Sequence, residues 1–380
     1  MTNQKNIKIK RPHFENLDAL RFFAAFSVYI FHFFNELRGL IPMSPDNVTY
    51  SIIIFFTNKG VLGVNFFFVL SGFLITFLIL FEIKHHKKFN LKKFLIRRTL
   101  RIWPLYFIIV LIGFVLFPFI FTDYNTDHNP LNYIIFFANL DEIWNGANDS
   151  NNFLTAPWSV AVEEQFYFVW GVLLFSLSRL KILQLPTLII ILLLGSIIFR
   201  SLNFEDYRVI YYHTFSVMPD ILTGSLLAYF YFKKTFWIKK MKFLKKWKII
   251  LIYIIGFLVI IFKTKIFNGP LIIAERYVIG LFFAFILLDQ IHLKYSFIKI
   301  GKIKLFNHLG GISYGLYMYH LVVLFLLHKL LIILIYKMGG GYYFAACLYF
   351  ILSILISYFL SLMSYKFIEK PFLDLKRKFI

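Results

Sequence analysis

Arg21 and His32 interrupt the first apolar run, LDALRFFAAFSVYIFHFF. A charge inside a membrane helix is costly and ordinarily lines a polar cavity or pairs with another charge. Eleven positions apart on an ideal helix, the two lie roughly 16 Å apart along the axis but only about 20° apart in azimuth, so they look into one space at different depths. An imidazole titrates near neutrality and can take a proton from a hydroxyl as that hydroxyl attacks a carbonyl. The competing reading of His32 is a histidine satisfied by a neighbouring helix or reaching the outer head groups; Arg21 on the same face favours chemistry.

Other residues could complete such a site. Glu163, near the start of a helix entering from the outer face, is expected at about the depth of His32, where a carboxylate would orient the imidazole. Gln165 lies about 200° away on that helix, so it should bridge helices while Glu163 faces the cavity. Arg98 and Arg101 stand three residues apart, on nearly one face, at the inner mouth of the third helix; guanidinium forks suit phosphate oxygens, and plain loop charge is the competing reading. His320, beside Tyr317, is a second polar wall or a packing residue, and Asp220 in MPDILTGSLLAYF is a further buried-charge candidate.

These residues need a membrane scaffold to hold them. Of 380 residues, 59% are hydrophobic and only 16% charged, with a mean hydropathy of +0.72, too apolar for a soluble domain. Apolar runs of about 17 to 25 residues recur, the length that crosses roughly 30 Å of hydrocarbon as helix. The expectation is an all-α, polytopic integral membrane helix bundle with about ten transmembrane helices. They cover approximately 17 to 37, 60 to 82, 101 to 120, 157 to 178, 185 to 200, 211 to 232, 249 to 264, 271 to 291, 309 to 336 and 342 to 364. A basic arm at 1–16 and a basic tail at 365–380 flank this 17–364 transmembrane domain.

The formal net charge of +22 does not indicate nucleic acid as a partner. About 31 of the 41 Lys and Arg residues fall on one side of this topology and about seven on the other, the bias of cytoplasmic loops. Both termini are therefore placed in the cytoplasm. The loop from Pro118 to Ala156 goes outside; it carries Asp123, Asp127, Asp141, Glu142 and Asp149 without a Lys or Arg. Tyr124, Tyr133 and Trp144 in that loop are candidate glycan platforms. The single cysteine, Cys347, excludes a disulfide framework and a thiolate metal cluster, and no metal site is expected at His85 and His86 among their lysines. The first apolar run lacks a small-residue cleavage site and reads as a retained anchor. Membrane lipids are the evident partners; oligomeric state leaves no trace in the sequence.

The Arg21 to His32 spacing, GVNFFFVLSGFLIT at 63–76, RRTLRIWPLYF at 97–107, PWSVAVEEQFYFVW at 157–170, SYGLYMYHLVV at 313–323 and FIEKPF at 367–372 together resemble the acyltransferase-3 membrane family, in order over nearly the whole chain. The resemblance implies a bacterial inner-membrane enzyme. It would move an acyl group, acetyl by preference, from acyl-CoA to a hydroxyl of a cell-surface polysaccharide or its lipid-linked precursor, with no permanently bound cofactor. It implies that His32 is the catalytic histidine, that Arg21 belongs to the same motif, and that Arg98 and Arg101 hold the donor. Asn65 stands where relatives often carry aspartate. The chain resembles the branch without a fused esterase-like domain. A transporter or flippase for glycan lipids is the rival class, using the same intramembrane charges for passage without consuming a thioester.

Overall fold

A computed structural model describes residues 14–38, 48–121, 124, 126–146, 152–178, 184–337 and 342–379. Residues 1–13 of the basic arm, the loop acids Asp123 and Asp149, and Arg179 with Lys181 lie outside the described residues. The described chain is all helix and turn, without a strand, as the apolar periodicity predicts. Its long helices are α1 (Glu15–Arg38), α2 (Val48–Thr57), α3 (Leu62–His86), α4 (Leu91–Leu111), α5 (Pro157–Leu177), α6 (Leu185–Leu202), α7 (Thr214–Lys233), α8 (Lys246–Ile261), α9 (Ile272–His292), α10 (Lys304–Gly311), α11 (Ser313–Lys337), α12 (Tyr342–Ser364) and α13 (Lys370–Lys376).

Nine described segments are long and apolar enough to cross a bilayer, which makes this a multi-pass membrane protein. The expected tenth, α8, has 16 residues, about 24 Å of helix against roughly 30 Å of hydrocarbon. It nonetheless runs from one end of the bundle to the other: α7 ends in the basic block at Lys233, whereas Lys263 and Thr264, just past α8, line a chamber at the opposite end. Two boundaries move. The second span is preceded by α2 and a tight turn at Asn58–Val61, and the stretch read as a tail past residue 364 continues through Tyr365–Glu369 into α13, packed on α4.

Helix association in lipid gains little from the hydrophobic effect and depends on close backbone approach. The tightest approach is between α3 and α7. A Cβ on Gly72 would stand 1.8 Å from the Ile221 carbonyl oxygen, and one on Gly224 would stand 1.9 Å from that of Val69. These two glycines bring the α3 and α7 backbones together, with Ser225 Oγ donating to the Gly72 carbonyl at 3.3 Å.

In the outer loop, Tyr133 is fully buried and donates to the Leu154 carbonyl at 3.2 Å, and Tyr124 is also buried. Neither is a glycan platform; Trp144 alone of the three is exposed. Asp141 organises the loop, accepting from Asn132 Nδ2 at 2.6 Å, Asn145 Nδ2 at 2.9 Å and the Asn129 backbone at 3.2 Å, with His128 Nδ1 at 2.5 Å. Burial pushes this carboxyl up, but the bonds from His128, Asn132, Asn145 and Asn129 outweigh it and hold the group below the usual carboxylate range.

Candidate functional site

Arg21 and His32 both sit on the unbroken α1, and the space they face is divided in two. Arg21 lines a chamber of about 300 Å³ toward the basic end of the bundle; His32 lines a second, of about 490 Å³, toward the opposite end. Tyr317 of α11 lines both. Its hydroxyl lies 2.7 Å from Ser159 Oγ of α5, and both side chains are buried. In place of a single shaft, the bundle holds two chambers with a hydrogen-bonded wall between them.

The inner chamber gathers Arg21, Arg98, Arg101, Glu163, Tyr167 and Glu369. Arg21 is paired with Asp18 one turn earlier. Arg98 is held by aromatic faces, its guanidinium carbon 5.6 Å from the Tyr167 ring centroid and 5.7 Å from that of Phe94. Its Nε is buried without a hydrogen-bond partner among the described residues, leaving a donor available to an anion. Arg97, by contrast, is spent on structure, pairing with Glu82 at 2.7 Å and donating to the Phe379 carbonyl at 3.0 Å.

Glu163 is placed otherwise than its position in α5 suggested. Ser71 Oγ donates to it at 2.5 Å, and the Tyr167 hydroxyl donates to its other oxygen at 2.8 Å. It belongs to the arginine chamber and has no contact with His32. The imidazole beside His32 is His320, with ring centroids 5.2 Å apart. His320 Nδ1 lies 2.6 Å from the Tyr317 carbonyl oxygen, which can only accept, so Nδ1 carries the proton. The lone pair then sits on Nε2, buried without a partner. His32 has no side-chain hydrogen bond among the described residues, so its nitrogens are available within the chamber. Trp158, Tyr207, Tyr211 and Tyr212 form an aromatic side of the same chamber.

Gln165 and Asp220 line neither chamber. Gln165 bridges helices, donating to the Phe136 carbonyl at 2.7 Å and Asn139 Oδ1 at 2.8 Å while accepting from Thr214 Oγ1 at 2.5 Å. Asp220 is buried against Arg276 at 2.6 Å and Asn65 Nδ2 at 2.9 Å. Arg276 also donates to the Tyr211 carbonyl at 3.1 Å, so this ion pair buttresses the aromatic side from behind. Residues passed over in the sequence also come forward. Ser159 and Tyr167 flank Glu163 at four-residue steps along one face of α5, a periodicity that could have found them. Ser71 of α3, and Glu369 in the segment expected to be tail, line the arginine chamber as well. No group of three or more metal-ligating side chains gathers among the described residues.

Residues 14–362 match the profile described as an acyltransferase domain, so the match takes in α1, the histidine chamber and all of the arginine chamber except Tyr365, Glu369 and Leu373. The chain belongs to the acyltransferase-3 family. Among similar proteins is O-acetyltransferase OatA of Staphylococcus aureus strain NCTC 8325, 28% identical over 380 aligned positions that cover 93% of this chain and 56% of the relative. A protein of S. aureus strain COL, assigned provisionally as an O-acetyltransferase, is 30% identical over 349 positions, 84% of this chain and 55% of that one. The chain thus spans about half the length of these curated relatives. No solved structure matches it.

Proposed function

We propose that the chain transfers an acyl group, acetyl in the first instance, from acyl-CoA on the cytoplasmic side to a hydroxyl of a cell-surface polysaccharide or its lipid-linked precursor, in a bacterial inner membrane. The observation that carries this reading is the division of labour along α1. A chamber with an unsatisfied arginine donor lies at the basic end, and a chamber with two facing imidazoles lies at the other.

Arg98 and Arg101 suit the CoA phosphates, which accept from guanidinium forks in paired geometry. The pantetheine arm, extended over roughly 15 to 20 Å, matches the roughly 16 Å rise from Arg21 to His32, so the thioester reaches the level of Tyr317. An acceptor sugar enters against Tyr207 and Tyr211. His32 takes its hydroxyl proton as the oxygen attacks the thioester carbonyl. The tetrahedral adduct collapses with loss of CoA thiolate, and the imidazolium returns the proton to that sulfur. His320 cannot donate from Nε2; it accepts a hydrogen bond from protonated His32 and stabilises the charge formed in the transition state. Glu163 and Arg21 set the field of the donor chamber.

The test is release of free CoA from acetyl-CoA, coupled to ester formation on a glycan acceptor, by purified protein in nanodiscs. His32→Ala should abolish ester formation while the protein remains folded in the membrane. Glycan movement with no thioester consumed would instead establish a transporter.

A further inference from the structure

A third hollow lies outside both chambers. A groove of about 690 Å³ opens between α1, the Asn58–Val61 turn, α8 and α9, with Ala24, Ser27 and Gly63 on its floor and Phe66, Phe257 and Phe283 on its walls. Its surface is almost entirely hydrocarbon, and it is of the size that holds ligands. Bilayer lipid could fill any such groove, but this one is joined to the histidine chamber. Lys59 lines both. So does the corner after α8, with Ile260 and Ile261 on the groove and Lys263 and Thr264 on the chamber. On α2, Phe55 faces the chamber and its neighbour Phe56 faces the groove.

The charges at this junction are mostly spoken for. Lys263 is paired with Glu275 at 2.8 Å, and Glu36 lies 3.0 Å from His328. Lys59 has no ion pair among the described residues, and its ammonium rests 4.8 Å from the Phe55 ring centroid. It stands in the turn just before α3, beside the middle of α1, where the neighbouring Gly60 carbonyl accepts from Ser27 Oγ at 3.1 Å. An unpaired cation between a hydrocarbon groove and a polar chamber matches a molecule with a hydrocarbon tail, a phosphate and a sugar in that order.

We infer that the acceptor is a glycan joined through phosphate to a long hydrocarbon chain: the chain lies in the groove, the phosphate meets Lys59, and the sugar hydroxyl reaches His32. This rests on the acyl-transfer reading for its last element only. Binding is tested first, without donor, on protein in phosphatidylcholine nanodiscs. The probes are one disaccharide carried on a long-chain alkyl phosphate, the same disaccharide on the alkyl chain without phosphate, and the free sugar, with bound ligand read by native mass spectrometry. The phosphate-linked probe should bind about 10-fold more tightly than the neutral one, equivalent to about 1.4 kcal/mol. That preference should vanish in Lys59→Glu and return in Lys59→Arg, while Ile30→Trp, which narrows the groove, should weaken both lipid-linked probes. With acetyl-CoA added, kcat/KM should favour the phosphate-linked acceptor by a similar factor. A preference that survives Lys59→Glu, equal binding of the free sugar, or displacement by phosphatidylglycerol at equal affinity would overturn the inference, the last showing a seat for ordinary lipid. Absence of CoA release with every acceptor would defeat the transfer reading, whereas the binding result decides the groove by itself.

Discussion

The hydroxyl of Tyr317 and Oγ of Ser159, 158 residues apart in the chain, meet at 2.7 Å where Tyr317 lines both the arginine chamber and the histidine chamber. Any donor delivered to His32 from the cytoplasmic side passes these two side chains. Both hydroxyls also lie 3.4 Å from the Ala156 carbonyl, and neutral hydrogen bonds of this kind are worth about 1 kcal/mol net each, so thermal motion can part them.

Tyr317→Phe deletes that bond while keeping the ring. It should raise CoA release relative to ester formed several-fold, because water reaches the thioester when the wall is loose. Ser159→Ala should do the same, and the double variant should be no worse than either single one, as expected for two halves of one contact. The ratio of free thiol to acyl ester measures this.

His320→Ala removes the acceptor that faces His32. The expected loss is about 100-fold in kcat with little change in the KM for acyl-CoA, since the interaction forms only once His32 is protonated. A purely structural role would instead lower the amount of folded protein, read by size-exclusion chromatography in detergent.

Arg98→Lys keeps the charge but loses the fork and the stacking on Tyr167 and Phe94. The KM for acetyl-CoA should rise about 10-fold, and further in Arg98→Ala, each charged hydrogen bond being worth about 1.5–3 kcal/mol. Arg97→Lys should leave donor affinity nearer to wild type, because Arg97 is engaged with Glu82 and Phe379 outside the chamber.

Asp141 is held below its ordinary range in the folded loop, so its contribution to stability is present above the unfolded carboxyl value and is lost as pH falls through the folded one. The outer loop should therefore loosen only in strong acid, below roughly pH 4. Asp141→Asn should remove this acid dependence and cost on the order of 3 kcal/mol at neutral pH by leaving buried donors unpaired. Thermal melting of purified protein between pH 3 and 7 checks both.

Much of this arrangement can be read in one dimension because α1 is one straight element. The stagger of Arg21 and His32 is a property of helix geometry, needing nothing from the rest of the chain. The membrane class follows just as directly from the apolar runs. The partner of His32 is another matter. Depth alone made Glu163 a candidate, yet azimuth turns it to Ser71 and Tyr167, and the true neighbour, His320, arrives from a helix nearly 300 residues away by packing that no local pattern encodes. Asp220 and Gln165 are polar groups of the kind that marks sites, but Arg276 and Asn65 hold one oxygen of Asp220 and Asn139 meets Gln165 away from both chambers. The repeat of Ser159, Glu163 and Tyr167 was present in the sequence throughout and becomes informative only once one knows which side of α5 is hollow.

The shortness of α8 has a bearing on where the acceptor meets the protein. A 16-residue helix leaves a deficit of about 6 Å against the surrounding hydrocarbon, and the bilayer answers such a deficit by thinning locally. Where the membrane adapts to α8 in that way, polar head groups come nearer the corner at Lys263, which lines the same chamber as His32.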